Sequence, residues 1–169
     1  MSEQYVFPEV FVKGCSNGKY ICFTSGAYFL SLKADGSVKC DEVYGLIPYE
    51  RLVEFIDLEK GKLKTSVITL REELGKEIYE GYIVEPDAEL CLQEIVGNYI
   101  YFLKDDGSNV KRGNKLAYIV TNKLEARSVK SRCDGLLLFI IDMPWMEPRR
   151  GLLVVVKSGY RHATIRKGA

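Results

Sequence analysis

The sequence has few of the side chains that most often build catalytic and metal sites. It contains one histidine, His162, and five cysteines, at positions 15, 22, 40, 91 and 133. No Cys-x-x-Cys pair occurs, so the pattern predicts neither a zinc site nor a disulfide framework. A catalytic cysteine needs a neighbouring base, and one remote histidine gives Cys133 little support. We therefore assign no catalytic residue and no metal site, and we interpret His162 as a surface residue.

The sequence also lacks three features that would direct the chain to a membrane or to nucleic acid. No apolar run approaches the length of a membrane span, and residues 1–5 show neither the basic nor the apolar region of a signal peptide. The 24 basic and 23 acidic side chains leave a net charge of only +1. Dedicated nucleic-acid-binding proteins usually carry a basic excess. We expect a protein of the reducing cytoplasm, with no membrane partner and with nucleic acid an unlikely one.

What is present indicates an ordered, β-rich protein. The chain has 169 residues, 47% of them hydrophobic, which is enough for one domain or two small ones with a real core. Near the N-terminus, Asn17-Gly18 separates two apolar segments, and this dipeptide is a strong signal for a β-hairpin. Ala34-Asp35-Gly36 separates two further segments in the same way. These patterns predict a small antiparallel β-meander.

The pattern changes at Pro48, which suits the first turn of a helix. Residues 48–58 place four apolar side chains on one helical face: Leu52, Val53, Phe55 and Ile56. Residues 71–79 predict a second, short polar helix. We assign residues 1–86 to an N-terminal β-rich domain and expect a second domain from residue 87.

Within the second domain, one segment is written twice. Residues 97–113 and 135–151 both start with glycine, run through apolar residues, cross a turn and end in Arg-Gly. The offset is constant, since 135 − 97 and 151 − 113 both equal 38. A match at fixed offset is typical of a repeated supersecondary unit. We expect Gly97 to be equivalent to Gly135, and Gly113 to Gly151, in two halves that pack face to face.

These residues resemble the biotinyl/lipoyl carrier family. Asp106-Gly107-Ser-Asn-Val110-Lys-Arg-Gly113 is similar to the turn and Val-x-x-Gly step of that family, and Asp134-Gly135 to the step that opens its second half. The resemblance implies that residues 87–158 form a barrel-sandwich hybrid of two quasi-symmetric halves. Lys123 falls where that family carries its prosthetic group.

The residues around Lys123 depart from both carrier types. Thr121-Asn122 and Leu124 stand where biotin carriers have Glu-Ala and methionines, and where lipoyl carriers have Asp-Lys-Ala. We therefore expect Lys123 to be unmodified and the protein to carry no cofactor. Biotin or lipoate attached at Lys123 is the alternative.

The chain as a whole resembles an uncharacterised archaeal family (domain of unknown function 2118). The N-terminal β-rich region and Gly45-Leu-Ile-Pro-Tyr-Glu-Arg-Leu52 carry this resemblance. It implies a fold and not an activity.

Two further segments have alternative interpretations. The loop with Met143, Trp145 and Met146 either forms an interaction surface, since both side-chain types bury a large apolar area, or folds back so that Trp145 caps the open end of the barrel. Residues 159–169 are basic and predict a surface tail.

We predict a mainly β protein with a non-catalytic binding or scaffolding role and an unidentified protein partner. The alternatives are a carrier and, less favoured, an enzyme with a site between the two domains. The meander carries large apolar side chains in need of cover: Phe11, Tyr20, Phe23 and Tyr28. A homodimer is the common way to cover such a face, and the helix around residues 52–56 is the alternative.

Overall fold

The computed structural model describes residues 8–15, 18–32, 39–72 and 75–168. Strands dominate these residues, and the helical structure among them is one 3₁₀ helix, Tyr49–Phe55, which confirms the mainly β prediction. The strands are β1 (Glu9–Lys13), β2 (Tyr20–Thr24), β3 (Ala27–Ser31), β4 (Glu42–Ile47), β5 (Ile56–Asp57), β6 (Lys62–Leu63), β7 (Val67–Leu70), β8 (Ile78–Val96), β9 (Tyr99–Phe102), β10 (Ser108–Val110), β11 (Lys115–Val120), β12 (Ala126–Lys130), β13 (Gly135–Met143) and β14 (Arg150–Lys167).

The chain divides into two compact units. Unit 1 comprises Met1–Phe55, Leu63–Pro86 and Tyr160–Ala169, and unit 2 comprises Ile56–Lys62 and Asp87–Gly159. The surface tail expected at residues 159–169 is therefore wrong for most of that segment. Residues up to Lys167 belong to strand β14, and Ala163 and Ile165 are buried. Their alternation with polar residues is the pattern of a half-buried strand.

Unit 1 is a closed ring of strands. The order is β14-β3-β2-β4-β1-β7-β8, and β8 pairs in turn with β14. From β3 to β8 along this order, all neighbouring strands run antiparallel. β14 runs parallel to β3, with Ile165 beside Tyr28. A backbone hydrogen bond from the Lys167 amide to the Glu77 carbonyl (2.8 Å) joins β14 to the segment that leads into β8. Closure of this kind removes the unpaired edges that an open sheet would leave.

One apolar cluster holds unit 1 together. It takes alternate residues from its strands, as the period of two in a β-strand requires: Phe11, Ile21, Tyr28, Leu30, Tyr44, Ile68, Leu70, Tyr79, Ile83, Ala163 and Ile165. Three of the four side chains that motivated a homodimer are thus buried within the chain, namely Phe11, Tyr20 and Tyr28. Self-association stays a prediction that would need another surface.

The structure describes one tight hairpin turn of unit 1 that the sequence analysis did not predict. The strongest predicted turn includes Asn17, and the next lies at residues 34–36; both fall outside the described residues. A turn that we did not predict joins β2 to β3. Its two residues, Ser25 and Gly26, have φ of 51° and 77°, which are the positive values of a type I′ hairpin turn.

The helix predictions are met only in part. Residues 49–55 form a 3₁₀ helix in place of the longer helix expected at 48–58, and Ile56 already begins β5. Leu52 is fully buried, as its apolar face requires. The second predicted helix, at 71–79, is wrong: Ile78 and Tyr79 lie in strand β8, and the other described residues of this segment are not helical.

Unit 2 contains two sheets whose inner faces share one core. The first sheet has the order β12-β11-β9, and the second has the order β10-β13-β14, with β8 paired to β14. Ile100, Leu116 and Ala117 enter the core from the first sheet. Val110, Leu137, Leu153 and Val155 enter it from the second, together with Ile95 of β8. Burial of this cluster is the main force that holds the two sheets together.

The structure contradicts the predicted repeat at one of its two glycine pairs. Gly113 lies in a turn with φ of 93°, whereas Gly151 lies inside β14. That pair is not equivalent, because the second copy continues as one long strand where the first makes a turn. The equivalence of Gly97 and Gly135 stays a prediction. A Cβ placed on them would lie 3.2 Å from the Val120 carbonyl oxygen and 2.7 Å from the Val156 carbonyl oxygen, respectively.

The cysteines correct a second expectation. Cys22 pairs with Cys40 and Cys91 with Cys133, whereas Cys15 is free. The paired cysteines are 18 and 42 residues apart in the sequence, so no short motif predicts either disulfide. The expectation of no disulfide framework was wrong, because pairing depends on strand positions that spacing does not reveal.

Candidate functional site

The outer face of the β9-β11-β12 sheet in unit 2 carries three exposed tyrosines. Tyr99, Tyr101 and Tyr118 are 55%, 59% and 38% exposed. Tyr118 lies directly opposite Tyr101 in the antiparallel pair, and Tyr99 lies opposite Val120. Their strand neighbours Ile100 and Ala117 point the other way, into the core. We call Tyr99, Tyr101 and Tyr118 the tyrosine face.

Short side chains from β12 complete this surface. Ser128 pairs with Tyr118, and Ala126 pairs with Val120. The two rows that cross the sheet are therefore Tyr101–Tyr118–Ser128 and Tyr99–Val120–Ala126, and neither contains a charge. Small residues on the third strand leave the tyrosine rings open from that side.

One end of the same sheet is strongly basic. Five exposed side chains gather there, because the β10–β11 turn lies beside the end of β12: Lys111, Arg112, Lys115, Lys130 and Arg132. We call these five residues the basic end. None of them has an ion pair with another residue that the structure describes.

Two lysines of the basic end face each other. Lys115 pairs directly with Lys130 across β11 and β12. Like charges in directly opposite positions destabilise a sheet. The Lys115 ammonium also lies 5.9 Å from the centre of the Tyr118 ring, which connects the basic end to the tyrosine face.

Buried polar groups fix the backbone of the basic end. The Gly113 amide donates to the Ser131 carbonyl and the Ser131 amide to the Asn114 carbonyl, both at 2.8 Å. The buried Gln93 side chain donates to the Lys130 carbonyl (2.8 Å) and accepts from the Arg132 amide (3.2 Å). The Cys91–Cys133 disulfide follows immediately in the chain. The basic side chains therefore project from a backbone held on both sides.

Lys123 lies in the hairpin between β11 and β12. It is exposed, and the loop is closed by hydrogen bonds from the Leu124 amide to the Thr121 carbonyl and from the Thr121 amide to the Glu125 carbonyl, both 2.9 Å. The left-handed residue of this turn is Leu124, with φ of 59°, although Asn122 is the residue type that tolerates this conformation best. The Leu124 side chain is 78% exposed. An apolar side chain thus stands in solvent beside the lysine.

The Trp145 loop is open to solvent. Trp145 is 62% exposed, so the alternative in which it folds back and caps a barrel is wrong. Met146 is exposed and Met143 half-buried. The loop is held at its base by Arg149, which donates to Asp142 through Nε (3.2 Å) and a terminal nitrogen (2.5 Å). The hydrogen bond to Asp142 raises the pKa of Arg149, and the nearby Tyr101 phenol acts in the same direction.

The remaining residues considered from the sequence do not form a catalytic or metal site. Cys133 is in a disulfide and has no free thiol. His162 is exposed, and its ring lies 4.5 Å from that of Tyr82, both in unit 1. Within the described ranges, no three potential metal-binding side chains come together.

Unit 1 carries a charged cluster that the sequence did not indicate. The Lys19 ammonium donates to both oxygens of Glu9, at 3.2 and 3.0 Å, and also to Glu72. Burial, and then the hydrogen bond with Glu72, raise the pKa of Glu9 to about 7. Burial also acts to raise the pKa of Glu72, but its hydrogen bonds with Glu9 and Lys19 outweigh this and lower it. Glu9 and Glu72 thus share the Lys19 ammonium, and their pKa values are shifted in opposite directions.

A second charged network in unit 1 joins five strands. Glu42 accepts from Lys13 (3.0 Å) and from the Tyr44 hydroxyl (2.8 Å), and these hydrogen bonds lower the pKa of Glu42. Arg161 donates to the Tyr28 hydroxyl (3.2 Å) and lies 3.4 Å from Glu85. These contacts join side chains from β1, β3, β4, β8 and β14, so they support the fold of unit 1.

The sequence contained signals for the tyrosine face and the basic end that we did not use. Tyr99-Ile-Tyr-Phe102 alternates, which indicates a strand with its tyrosines on one face. Residues 108–132 contain seven basic side chains and one acidic side chain, Glu125. The balanced charge of the whole chain concealed this local excess.

Among the residues that the structure describes, helices of the length and hydropathy needed to cross a bilayer are absent. The model of a family described as "Uncharacterized protein conserved in archaea (DUF2118)" matches residues 5–158. No curated protein matches the chain.

Proposed function

We propose a function for this chain, which belongs to that archaeal family, from the geometry of unit 2: it is a non-catalytic binding module that holds its partner on the tyrosine face. The observation that carries the proposal is the exposure of Tyr99, Tyr101 and Tyr118 on one side of a sheet whose other side supplies Ile100, Leu116 and Ala117 to the core. A tyrosine offers a large apolar ring and a polar hydroxyl, which makes it a frequent contact residue at interfaces.

The resemblance to the biotinyl/lipoyl module is part of the proposal. Two features support it: two sheets share one core, and the hairpin between β11 and β12 presents Lys123. In this interpretation the fold is that of a carrier, whereas the working surface is the neighbouring sheet face.

Tyrosine footprinting tests the proposal without knowledge of the partner. A tyrosine-nitrating reagent is applied to a native cell extract and to the purified protein, and modification is measured by peptide mass spectrometry. We expect Tyr101 and Tyr118 to be protected in the extract, because a bound partner covers them. Tyr160, in unit 1, serves as the control and should react equally in both samples. Equal modification of the tyrosine face in both samples would refute the proposal.

A carrier role is the second candidate, because Lys123 is exposed in a tight hairpin loop as a modifying enzyme would require. The mass of the intact protein purified from its natural source decides between the two. We expect the mass of the unmodified chain, because the residues beside Lys123 differ from those of both carrier types. A shift that matches a biotinyl or lipoyl amide and is abolished by Lys123→Arg would establish the carrier function.

The Trp145 loop is proposed as a second contact surface, for a protein partner. Trp145 and Met146 expose apolar area from a loop whose base is held by the Asp142–Arg149 pair. Trp145→Ser leaves that pair in place, so the variant should lose the partner without losing the fold. Retention of every partner by this variant, in co-purification under native conditions, would count against this surface.

A further inference from the structure

We propose that the partner held on the tyrosine face is a single-stranded nucleic acid, whose bases stack on the tyrosines and whose phosphates lie on the basic end. This inference rests on the proposed binding function and names its ligand. It replaces our expectation that nucleic acid is an unlikely partner, which was based on the net charge of the whole chain.

The first argument is the unpaired charge of the basic end. Its five side chains are exposed, and their charged groups form no ion pair among the described residues, while Lys115 and Lys130 stand directly opposite each other. Among the same residues, the one carboxylate bonded within this cluster is that of Asp134, which accepts from the Arg112 backbone amide (2.6 Å) and not from a basic side chain. A fold tolerates such repulsion most readily where an anionic ligand relieves it. Phosphates spaced along a backbone supply several negative charges at once, and their binding releases counterions.

The second argument is the position of the aromatic rings. Tyr101 and Tyr118 are cross-strand neighbours, Tyr99 lies two residues before Tyr101 in β9, and the Lys115 ammonium lies 5.9 Å from the centre of the Tyr118 ring. A line of exposed rings leading to a basic groove or end is the arrangement that binds single strands through stacking and charge. A duplex hides the faces of its bases, so the tyrosine rings select the single strand.

The third argument is rigidity. The backbone on both sides of the basic end is fixed by Gln93, by Ser131 and by the disulfide at Cys133. β12 adds only Ser128 and Ala126 beside the rings, so bases have unobstructed access. A surface organised in this way loses little conformational entropy when it binds.

An acidic protein would satisfy the charges of the basic end, and so would an anionic membrane. A membrane presents no flat rings, and an acidic protein presents them only at its aromatic residues, whereas every base of a single strand supplies one beside each phosphate. The observations therefore favour nucleic acid, and the other two ligands become outcomes of the test.

The test is fluorescence anisotropy with a labelled oligothymidylate of about ten nucleotides, which exceeds the smallest sites of single-strand binders. We expect binding that weakens with salt, with a slope near −3 in log K against log salt if about four phosphates are contacted. Tyr101→Leu should weaken binding by about tenfold or more at all salt concentrations, since it removes a stacking ring. Lys115→Gln should weaken binding and make the salt slope less negative by roughly 0.7.

Two matched controls keep the result specific. Lys157→Gln removes an exposed lysine that is already paired with Glu89, and Tyr160→Leu removes a tyrosine of unit 1. Both should bind as the wild type does, and circular dichroism should show that all four variants fold. Absence of binding by the folded wild type at low salt would overturn the inference. It would also be overturned if Tyr101→Leu bound as well as the wild type, or if polyglutamate or anionic vesicles displaced the oligonucleotide as effectively as unlabelled oligonucleotide.

Nuclease treatment separates this inference from the proposed function. Digestion of the native extract before nitration should expose Tyr101 and Tyr118 if nucleic acid covers them. Protection that survives nuclease would leave the binding module intact and refute its nucleic-acid ligand. No protection before digestion would refute the binding module itself.

Discussion

The Cys91–Cys133 disulfide should be one of the largest single contributions to the stability of this protein. It joins β8 to the segment after β12 and closes a loop of 42 residues. The chain-entropy relation gives a loss of about 13 cal/mol/K from the unfolded state for a loop of this length, or ~4 kcal/mol at 25 °C. The 18-residue loop of Cys22–Cys40 gives about 3 kcal/mol by the same relation.

The corresponding change in melting temperature follows from the size of the chain. An unfolding entropy of about 2.1 cal/mol/K per residue, over 169 residues, amounts to roughly 0.35 kcal/mol/K. We therefore expect the Cys91→Ser/Cys133→Ser variant to melt about 11 °C below the wild type in thermal circular dichroism. Cys15→Ser is the matched control, because Cys15 is the free cysteine, and its melting temperature should be unchanged.

A thiol titration checks the premise independently. Protein purified without reductant and denatured should show one reactive thiol, and reduction should raise the number to five, the total in the sequence. Five reactive thiols before reduction, or a double variant that melts with the wild type, would refute the reasoning. Cytoplasmic proteins of some archaea contain disulfides, so either result leaves the predicted compartment as a prediction.

Three further predictions concern other parts of the molecule. Because the pKa of Glu9 is raised from 4.5 to about 7, the folded state binds the proton more tightly, and the free energy of unfolding should fall by at most about 3 kcal/mol as pH rises from 4.5 to 7. Urea denaturation at several pH values measures this fall. Glu9→Gln should abolish it, whereas Glu89→Gln, which removes a carboxylate from an exposed ion pair, should leave it unchanged. An unchanged pH dependence in Glu9→Gln would contradict the assignment. Trp145 is the one tryptophan of the chain, so native fluorescence should show the red-shifted emission of a solvated indole, and a blue-shifted spectrum would show that the loop folds back. Gly135→Ala should lower the free energy of unfolding by about 2–3 kcal/mol, because a Cβ at this position would lie 2.7 Å from the Val156 carbonyl oxygen. Gly107→Ala meets open space and should cost only about 1 kcal/mol, from the positive φ of 87°; equal losses would argue against the close approach at Gly135.

Local sequence patterns predicted the parts of the fold that depend only on the spacing of apolar residues along the chain. β1 and β2 were readable because apolar residues gather between turn signals, and Leu52 was correctly placed on a buried face. The same rule would have identified the strand through Ala163 and Ile165, had the basic residues around them not suggested a tail. The tail prediction gave the basic residues near the C-terminus more weight than the alternation of apolar and polar residues that is typical of a strand.

Other features depend on which strands meet. Cys91 and Cys133 are 42 residues apart, and Lys115 faces Lys130 only because β11 and β12 pair in one register. Tyrosine is an ambiguous residue in a sequence, since its ring favours the core and its hydroxyl favours water. Tyr44 is buried and Tyr101 exposed, and only the pairing of their strands decides between the two.

The closure of unit 1 by β14 depends on segments from opposite ends of the chain. Residues 56–159 supply all of unit 2, whereas the ring of unit 1 needs residues 160–167 as well as its N-terminal strands. The parallel pairing of Tyr28 with Ile165 joins positions 137 residues apart, and pairings of such long range form slowly. Until then β3 and β8 present bare edges, which are sites where nascent chains join one another. The interval before closure is therefore the stage at which the folding chain is most exposed to association with other copies.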